Sequence, residues 1–369
     1  MTYEKSKNTV RIEKICSAAQ RFFMLCFLLL LAFGLVPGKK ADDVQLKRAA
    51  AKTVFSGKIE VWNESGEITK SKEQTAMGNA ATAVPQVSAK GAALVSGDTG
   101  ELIFGKNSNG ILPMASTTKI MTALVVLEKC SPDDVFTVPP EACGIEGSSI
   151  YLVPGEELTV RDLLYGLLLE SGNDAAVALA IAACGNVEDF TAEMNKKAAE
   201  LGLTCTSFAN PNGLSAENHH TTAAELAKIT YYAMKQPLFR EIVSTVSYTV
   251  KNSGGVPLKY FSNHNKMLRM YSGANGVKTG YTIASGRCLV TSAQKDGSTF
   301  IAVTLNDRND WRDHESMLDF AFANYRAVTF FPVGGLSLSL DGKCYQNREA
   351  ACLLLSRDSG DVDFTVTLS

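Results

Sequence analysis

The chain has 369 residues, is 46% hydrophobic and has a formal net charge of -2, enough apolar material for one large core or two domains. Lys and Arg (36) balance Asp and Glu (38) with no charged block beyond the N-terminus, so a nucleic-acid partner is excluded. Seven of the nine cysteines lie outside the leader, odd in number, scattered and without Cys-x-x-Cys, and His219, His220, His264 and His314 show no ligand spacing. Small buried thiols, no disulfide framework, no metal and no cofactor are expected.

Lys5, Lys7, Arg11, Lys14 and Arg21 precede the apolar run Phe22 to Val36, an export signature. The run is shorter than the roughly 20 residues that comfortably span a bilayer. Residues 1–38 are therefore read as a signal peptide or an anchor in the cytoplasmic membrane, with the basic end inside. Residues 39–88 are polar and weakly periodic, as in a flexible linker. A folded domain is expected over 89–328, opening with a hairpin across Gly97-Asp98-Thr99-Gly100.

A helix starting near Ser116 is apolar on all sides over Ile120 to Leu127 and is expected to be buried. Thr159 and Asp162 are spaced as a capping box for a helix reaching about Glu170, and a second helix runs to Gly185. Ser171-Gly172-Asn173 then fall in a helix-helix turn. Another helix ends at Gly202. "GVKTGYTIASGRCLVTSAQKDGSTFIAVTLN" reads as three strands, the last two joined across Lys295-Asp296-Gly297, followed by a helix in "DWRDHESMLDFAFANYRA". Strands at both ends with helices between predict an α+β fold, an antiparallel sheet with a helical insertion. Residues 329–369 are expected to be a shortened, β-rich C-terminal segment.

Each candidate motif is weak alone. Ser-x-x-Lys occurs as Ser116/Lys119 and as Ser292/Lys295, and about one chance match is expected at this length. The second pair runs off a strand into a turn; the first lies at a helix start, where residues i and i+3 share a face. Ser116 can be read as a helix N-cap or as a nucleophile. As a nucleophile it needs a base in reach, and Lys119 can serve if burial or a neighbouring cation keeps it neutral. Ser171-Gly172-Asn173 suits a turn. Lys278-Thr279-Gly280 suits either an edge strand or a site with a cation, a hydroxyl and a backbone that admits a ligand closely.

The ordered set Ser-x-x-Lys, Ser-x-Asn, Lys-Thr-Gly on a helix start, a helix-helix turn and a strand resembles the penicillin-recognising serine enzymes. It most closely resembles the D-alanyl-D-alanine carboxypeptidases, the low-molecular-weight penicillin-binding proteins. "PMASTTKIMTAL", "GSSIYLVPGEELTVRDLLYGLLLESGNDAA", "FANPNGLSAENHHTTAAELA" and "NGVKTGYTIASGRCLVTSA" share the likeness. The resemblance implies a β-lactamase/transpeptidase-like fold and a serine enzyme removing the terminal D-alanine of peptidoglycan pentapeptides ending in D-Ala-D-Ala, at the outer face of the bacterial cell membrane or in the wall, with β-lactams as inhibitors. It implies Ser116 as nucleophile, Lys119 as its base and Ser171 as proton relay. Asn173 would bind the substrate amide and orient Lys119. Lys278, Thr279 and Gly280 would hold the terminal carboxylate, and the Ser116 and Tyr281 N–H groups would form the oxyanion hole. Gly147, Ser148 and Ser149 carry no assigned role, and His219 and His220 read as structural.

Two features depart from that family's pattern: the C-terminal segment is short, and it ends in "DVDFTVTLS", without a basic amphipathic face. The same superfamily leaves a β-lactamase, a D,D-endopeptidase or a non-catalytic wall-binding protein as alternatives. No Glu-x-x-Leu-Asn-like element that would place a deacylating water lies between Asn173 and Lys278, which disfavours the first.

Overall fold

The computed structural model describes residues 60–62, 83–252, 254–331, 337–340, 343–346, 350–357 and 363–365. The leader expected over 1–38 lies outside these residues, as does most of the expected linker. The chain divides into two compact units, Thr82–Ala323 and a second made of Met1–Ala81 with Asn324–Ser369.

In chain order the elements are β1 (Glu60–Trp62), β2 (Gly91–Ser96), β3 (Leu102–Lys106), α1 (Lys119–Lys129), β4 (Val135–Thr137), β5 (Glu157–Thr159), α2 (Val160–Leu169), α3 (Asn173–Cys184), α4 (Val187–Glu200), α5 (Ala223–Ala233) and α6 (Pro237–Ser244). There follow β6 (Ser247–Lys251), β7 (Pro257–Ser262), β8 (Ala274–Thr282), β9 (Gly286–Lys295), β10 (Ser298–Leu305), α7 (Asp310–Asn324), β11 (Tyr325–Phe331), β12 (Ser337–Leu340), β13 (Lys343–Gln346), β14 (Ala351–Ser356) and β15 (Asp363–Thr365).

The larger unit is built on a five-stranded antiparallel sheet of order β3-β2-β10-β9-β8. Its central strand "STFIAVTL" is apolar on both faces because both are covered. Ile301, Val303 and Leu305 join Ala93, Val95 and Val290 in the core shared with the helices. On the other face Phe300 meets Phe322 of α7 edge-on, and His314 of α7 is bonded between Thr291 and Thr304. Helices α1 to α4 lie between the opening hairpin and the last three strands in sequence, so the expected helical insertion is present.

Local signals explain the helix boundaries that matter for the site. Thr159 and Asp162 form the capping box that starts α2, satisfying two orphan N–H groups. Gly185, at φ 82°, ends α3, as the left-handed C-terminal position favours glycine. Cys288 is buried, whereas Cys130, Cys143, Cys184, Cys205 and Cys352 are partly exposed, which corrects the expectation of buried thiols for these five.

Both expected domain edges shift. Pro85, Val87 and Ala89 are buried, and the Ser88 hydroxyl bonds Asp307 and Asp313, so packing begins before residue 89. Within the expected linker, β1 pairs with β15. At the other end, the smaller unit takes over at Asn324 rather than at 329. Among the described residues it contains three two-stranded antiparallel pairs, β1-β15, β11-β14 and β12-β13. Side-chain alternation alone does not tell where such short strands find their partners.

Candidate active site

Ser116 is not a helix cap. It sits in a single 3-10 turn, Ala115–Thr118, ahead of α1, and neither cap position, Met114 or Thr118, makes a side-chain capping bond. Ala115 adopts φ 49°, a costly left-handed conformation for a residue with a Cβ. The turn is gripped from outside: Thr118 Oγ1 bonds His219 Nε2 at 2.8 Å and donates to the Ala115 carbonyl at 2.7 Å. The Ala209 N–H donates to His219 Nδ1 at 3.0 Å, so Nε2 carries the ring proton and donates to Thr118. Burial lowers His219 to about 4, keeping it neutral. This is the structural role expected of His219.

Lys119 opens α1 with 0% exposure. Its Nζ lies 3.0 Å from Ser116 Oγ, 2.7 Å from Asn173 Oδ1 and 2.6 Å from the Asn212 carbonyl. Burial, and next the Lys278 ammonium, hold its pKa well below the ordinary lysine value, while Asp174 pulls the other way. A neutral amine has two hydrogens and one lone pair. With the hydrogens on Asn173 and Asn212, the lone pair is left for the Ser116 hydroxyl.

Asn173 is the first residue of α3, and its backbone N–H donates to the Ser148 carbonyl at 2.7 Å. Its Nδ2 donates to the Glu146 carbonyl at 2.6 Å, which fixes Oδ1 toward Lys119. The next residue, Asp174, fully buried, accepts from Ser149 Oγ (2.6 Å), Ile150 N (3.0 Å) and Leu152 N (3.1 Å). The loop over residues 146–152, left without a role by the sequence, thus wraps the start of α3 and sets Asn173. Ser171, at φ 64° and buried, stands in the turn between α2 and α3, two residues from Asn173.

The third motif lies on β8, the edge of the sheet. Lys278 is nevertheless only 2% exposed, and burial lowers it to about 7, with Glu170 opposing. Its Nζ donates to the Thr279 carbonyl at 3.1 Å. Gly280 runs past the nucleophile so closely that a Cβ there would lie 3.1 Å from Ser116 N and 3.2 Å from Thr117 N. The Gly280-Tyr281 backbone is thereby brought beside the Ser116 amide, while the Tyr281 side chain points outward and is exposed.

The structure therefore joins Ser116, Lys119 and Asn173 by direct bonds, couples Lys278 to Lys119 by charge, and lays Gly280 against the Ser116 backbone. Asn212 and Gly213 were not singled out from the sequence; the Asn-Gly dipeptide reads as a turn, and only its long-range contact with the 3-10 turn gives it a place here. The decoy pair is separate: Ser292 is buried within β9, and Lys295 Nζ sits 3.9 Å from the Tyr271 ring centroid.

Residues 78–309 match the family described as D-alanyl-D-alanine carboxypeptidase. The chain is 40% identical over 247 residues to the D-alanyl-D-alanine carboxypeptidase DacF of Bacillus subtilis, covering 64% of this chain and 63% of that one; the match thus spans just under two thirds of that relative. It is 34% identical to a D-alanyl-D-alanine carboxypeptidase of Streptomyces strain K15, over 71% of this chain and 92% of the relative. Among solved structures it resembles the Streptomyces K15 DD-transpeptidase, with TM-score 0.62 and 34% identity over 66% of this chain and all of that one. A D-alanyl-D-alanine carboxypeptidase of Mycobacterium tuberculosis H37Rv gives TM-score 0.62 and 30% identity, over 68% of this chain and 96% of that one. With the family match extending over more than half its length, the chain belongs to the D-alanyl-D-alanine carboxypeptidase family of serine peptidases.

Proposed function

We propose that the protein is a serine D,D-carboxypeptidase that removes the terminal D-alanine from peptidoglycan stem peptides ending in D-Ala-D-Ala. The observation that carries this reading is the buried Lys119 amine, 3.0 Å from Ser116 Oγ, with its other polar contacts on Asn173 and Asn212. Neutral Lys119 takes the proton from Ser116 Oγ as it attacks the penultimate D-alanine carbonyl. The developing oxyanion faces the Ser116 and Tyr281 N–H groups. Ser171 passes the proton toward the leaving amine, the C–N bond breaks, and terminal D-alanine departs. Water then cleaves the acyl ester on Ser116. Asn173 holds Lys119 and meets the substrate amide, and Lys278 with Thr279 receives the terminal carboxylate, which Gly280 lets approach. A β-lactam, which presents a strained amide and a carboxylate to the same groups, acylates Ser116 and stays.

The basic, apolar N-terminus supports export, with residues 1–38 as signal peptide or anchor in the cytoplasmic membrane and catalysis on its outer side. The peptidase domain would then span about residues 82–323.

Two measurements test this reading. The purified protein should release D-alanine from a D-Ala-D-Ala-ended peptide. Mass spectrometry after benzylpenicillin should show one slowly lost adduct on Ser116. Rapid penicillin turnover without peptide hydrolysis would make it a β-lactamase, and no adduct with no hydrolysis would make it a binding protein.

A further inference from the structure

The two hydrogens of the neutral Lys119 amine need two acceptors, and these come from distant parts of the chain. Asn173 offers a side chain whose own amide is fixed on the Glu146 carbonyl. Asn212 offers a backbone carbonyl at 2.6 Å, from the loop ahead of α5. A loop carbonyl points only where the bonds of its loop aim it.

Side chains aim this one, from within the loop and from outside. Asn210 Oδ1 accepts from the Gly213 N–H at 2.8 Å, and Asn210 Nδ2 donates to the Leu214 carbonyl at 2.9 Å. Asn212 Oδ1 accepts from the Leu214 N–H at 3.0 Å, a side chain that mimics a backbone turn. From outside, Thr122 Oγ1 donates to the Pro211 carbonyl at 2.6 Å. Thr122 follows Lys119 by three residues on α1 and is fully buried, so the two share one helix face. Its hydroxyl hydrogen belongs to Pro211, since the Thr118 carbonyl is 3.5 Å away, too far to compete. Successive carbonyls of the loop, Pro211 and Asn212, therefore meet neighbouring side chains of α1, Thr122 and Lys119. The first contact fixes where the second falls.

We propose that Thr122 and Asn210 are positioning residues of this active site, which together keep the Asn212 carbonyl on the Lys119 amine. The inference rests on the reading of Lys119 as the base given above. With that carbonyl in place both amine hydrogens are occupied and the lone pair faces Ser116. Without it, a Lys119 hydrogen turns to Ser116 Oγ, and the serine accepts where it has to donate. The carbonyl also receives the ammonium that forms as Ser116 loses its proton, and a charge-assisted bond is stronger than the bond to the amine. The charged groups acting on Lys119, Lys278 on β8 and Asp174 at the start of α3, and the neutral His219 belong to other segments. Substitution of Thr122 or Asn210 leaves them in place.

The test follows acylation of the full chain by a chromogenic cephalosporin in stopped flow, from about pH 5 to about pH 9, with thermal melts alongside. In Thr122→Val, which removes the hydroxyl at nearly constant volume, the maximal acylation rate should fall by about tenfold to a hundredfold. The cephalosporin concentration for half-maximal rate should stay within about threefold of native, as for an interaction that strengthens in the transition state. The acid limb of the rate should move to lower pH by about one unit, because losing an acceptor costs the ammonium more than the amine. Thr122→Ser, which keeps the hydroxyl, should follow the native profile. Asn210→Ala, at a partly exposed position, acts on the same carbonyl from the loop side and should reproduce the slower rate and the displaced limb even if Thr122→Val does not fold. Native rates and an unmoved limb in the folded variants overturn the proposal. So does a slower rate with the limb unmoved, which marks a merely structural contact, and so does an equal loss in Thr122→Ser, which would assign the effect to packing. Should the native protein show no acid limb below the ordinary lysine range, Lys119 is not the base, and the underlying reading fails first.

Discussion

Gly213 is pressed against Ala115, the residue before the nucleophile: a Cβ on Gly213 would fall 2.1 Å from the Ala115 carbonyl oxygen and 2.8 Å from Ser116 N. Gly213 is also at φ 91°, where only glycine is unstrained. Two segments nearly a hundred residues apart thus fix the turn that presents Ser116, and the Asn212 carbonyl beside that glycine receives Lys119. Gly213→Ala should displace the Ser116 turn or unfold it locally, lowering penicillin acylation at least about a hundredfold, since misplacement by about an ångström is that costly. Acylation kinetics, with a thermal melt alongside, check it; near-native acylation would mean that the turn yields freely.

Lys119→Arg separates a base from a structural cation. Arginine cannot give up its proton near neutral pH, so acylation of Ser116 should fall by about three orders of magnitude or more while a peptide still binds. The native acylation rate should climb with pH along a limb well below the ordinary lysine range, because burial and Lys278 lower Lys119. Stopped-flow acylation by a chromogenic cephalosporin measures both. A variant that acylates at near-native rate would remove Lys119 from the chemistry.

Acid should loosen the larger unit through two histidines. His219 and His314 are lowered to about 4 and about 3, in both cases by burial first. The unfolded chain binds these protons at a higher pH than the folded one, so stability is full above about pH 6.5 and is lost as pH falls toward the folded values. Between about pH 6.5 and pH 4 each should cost up to about 3 kcal/mol. Thermal melts across that range should show a steep fall that His314→Gln makes shallower; a melting temperature flat to pH 4 would contradict it.

Ser292→Ala tests the decoy. Ser292 is fully buried in β9 and its hydroxyl has no hydrogen-bond partner, so removing it relieves an unsatisfied group. Activity should stay within about twofold and the melting temperature should not fall. A loss comparable to Ser116→Ala would show that the wrong serine-lysine pair was chosen.

Several features of this protein were already determined by local sequence. The i, i+3 spacing sets Ser116 and Lys119 on one face, the apolar flanks of α1 bury that lysine, the Thr159/Asp162 box starts α2, and the strand-turn pattern after Gly276 yields β8 to β10. Each is a short-range effect, carried by residues within one or two turns of each other. Whether Ser116 caps a helix or faces a base was decided only in three dimensions, by Ala115's left-handed backbone, by His219 gripping Thr118 and by Gly213 beneath the turn. The same holds for Lys278, which the motif alone leaves as either an edge-strand cation or part of a site and which folding buries at 2% exposure. A side chain's hydration and its charged neighbours set its pKa, and both are properties of packing between segments far apart in the chain, so no reading of neighbouring letters contains them.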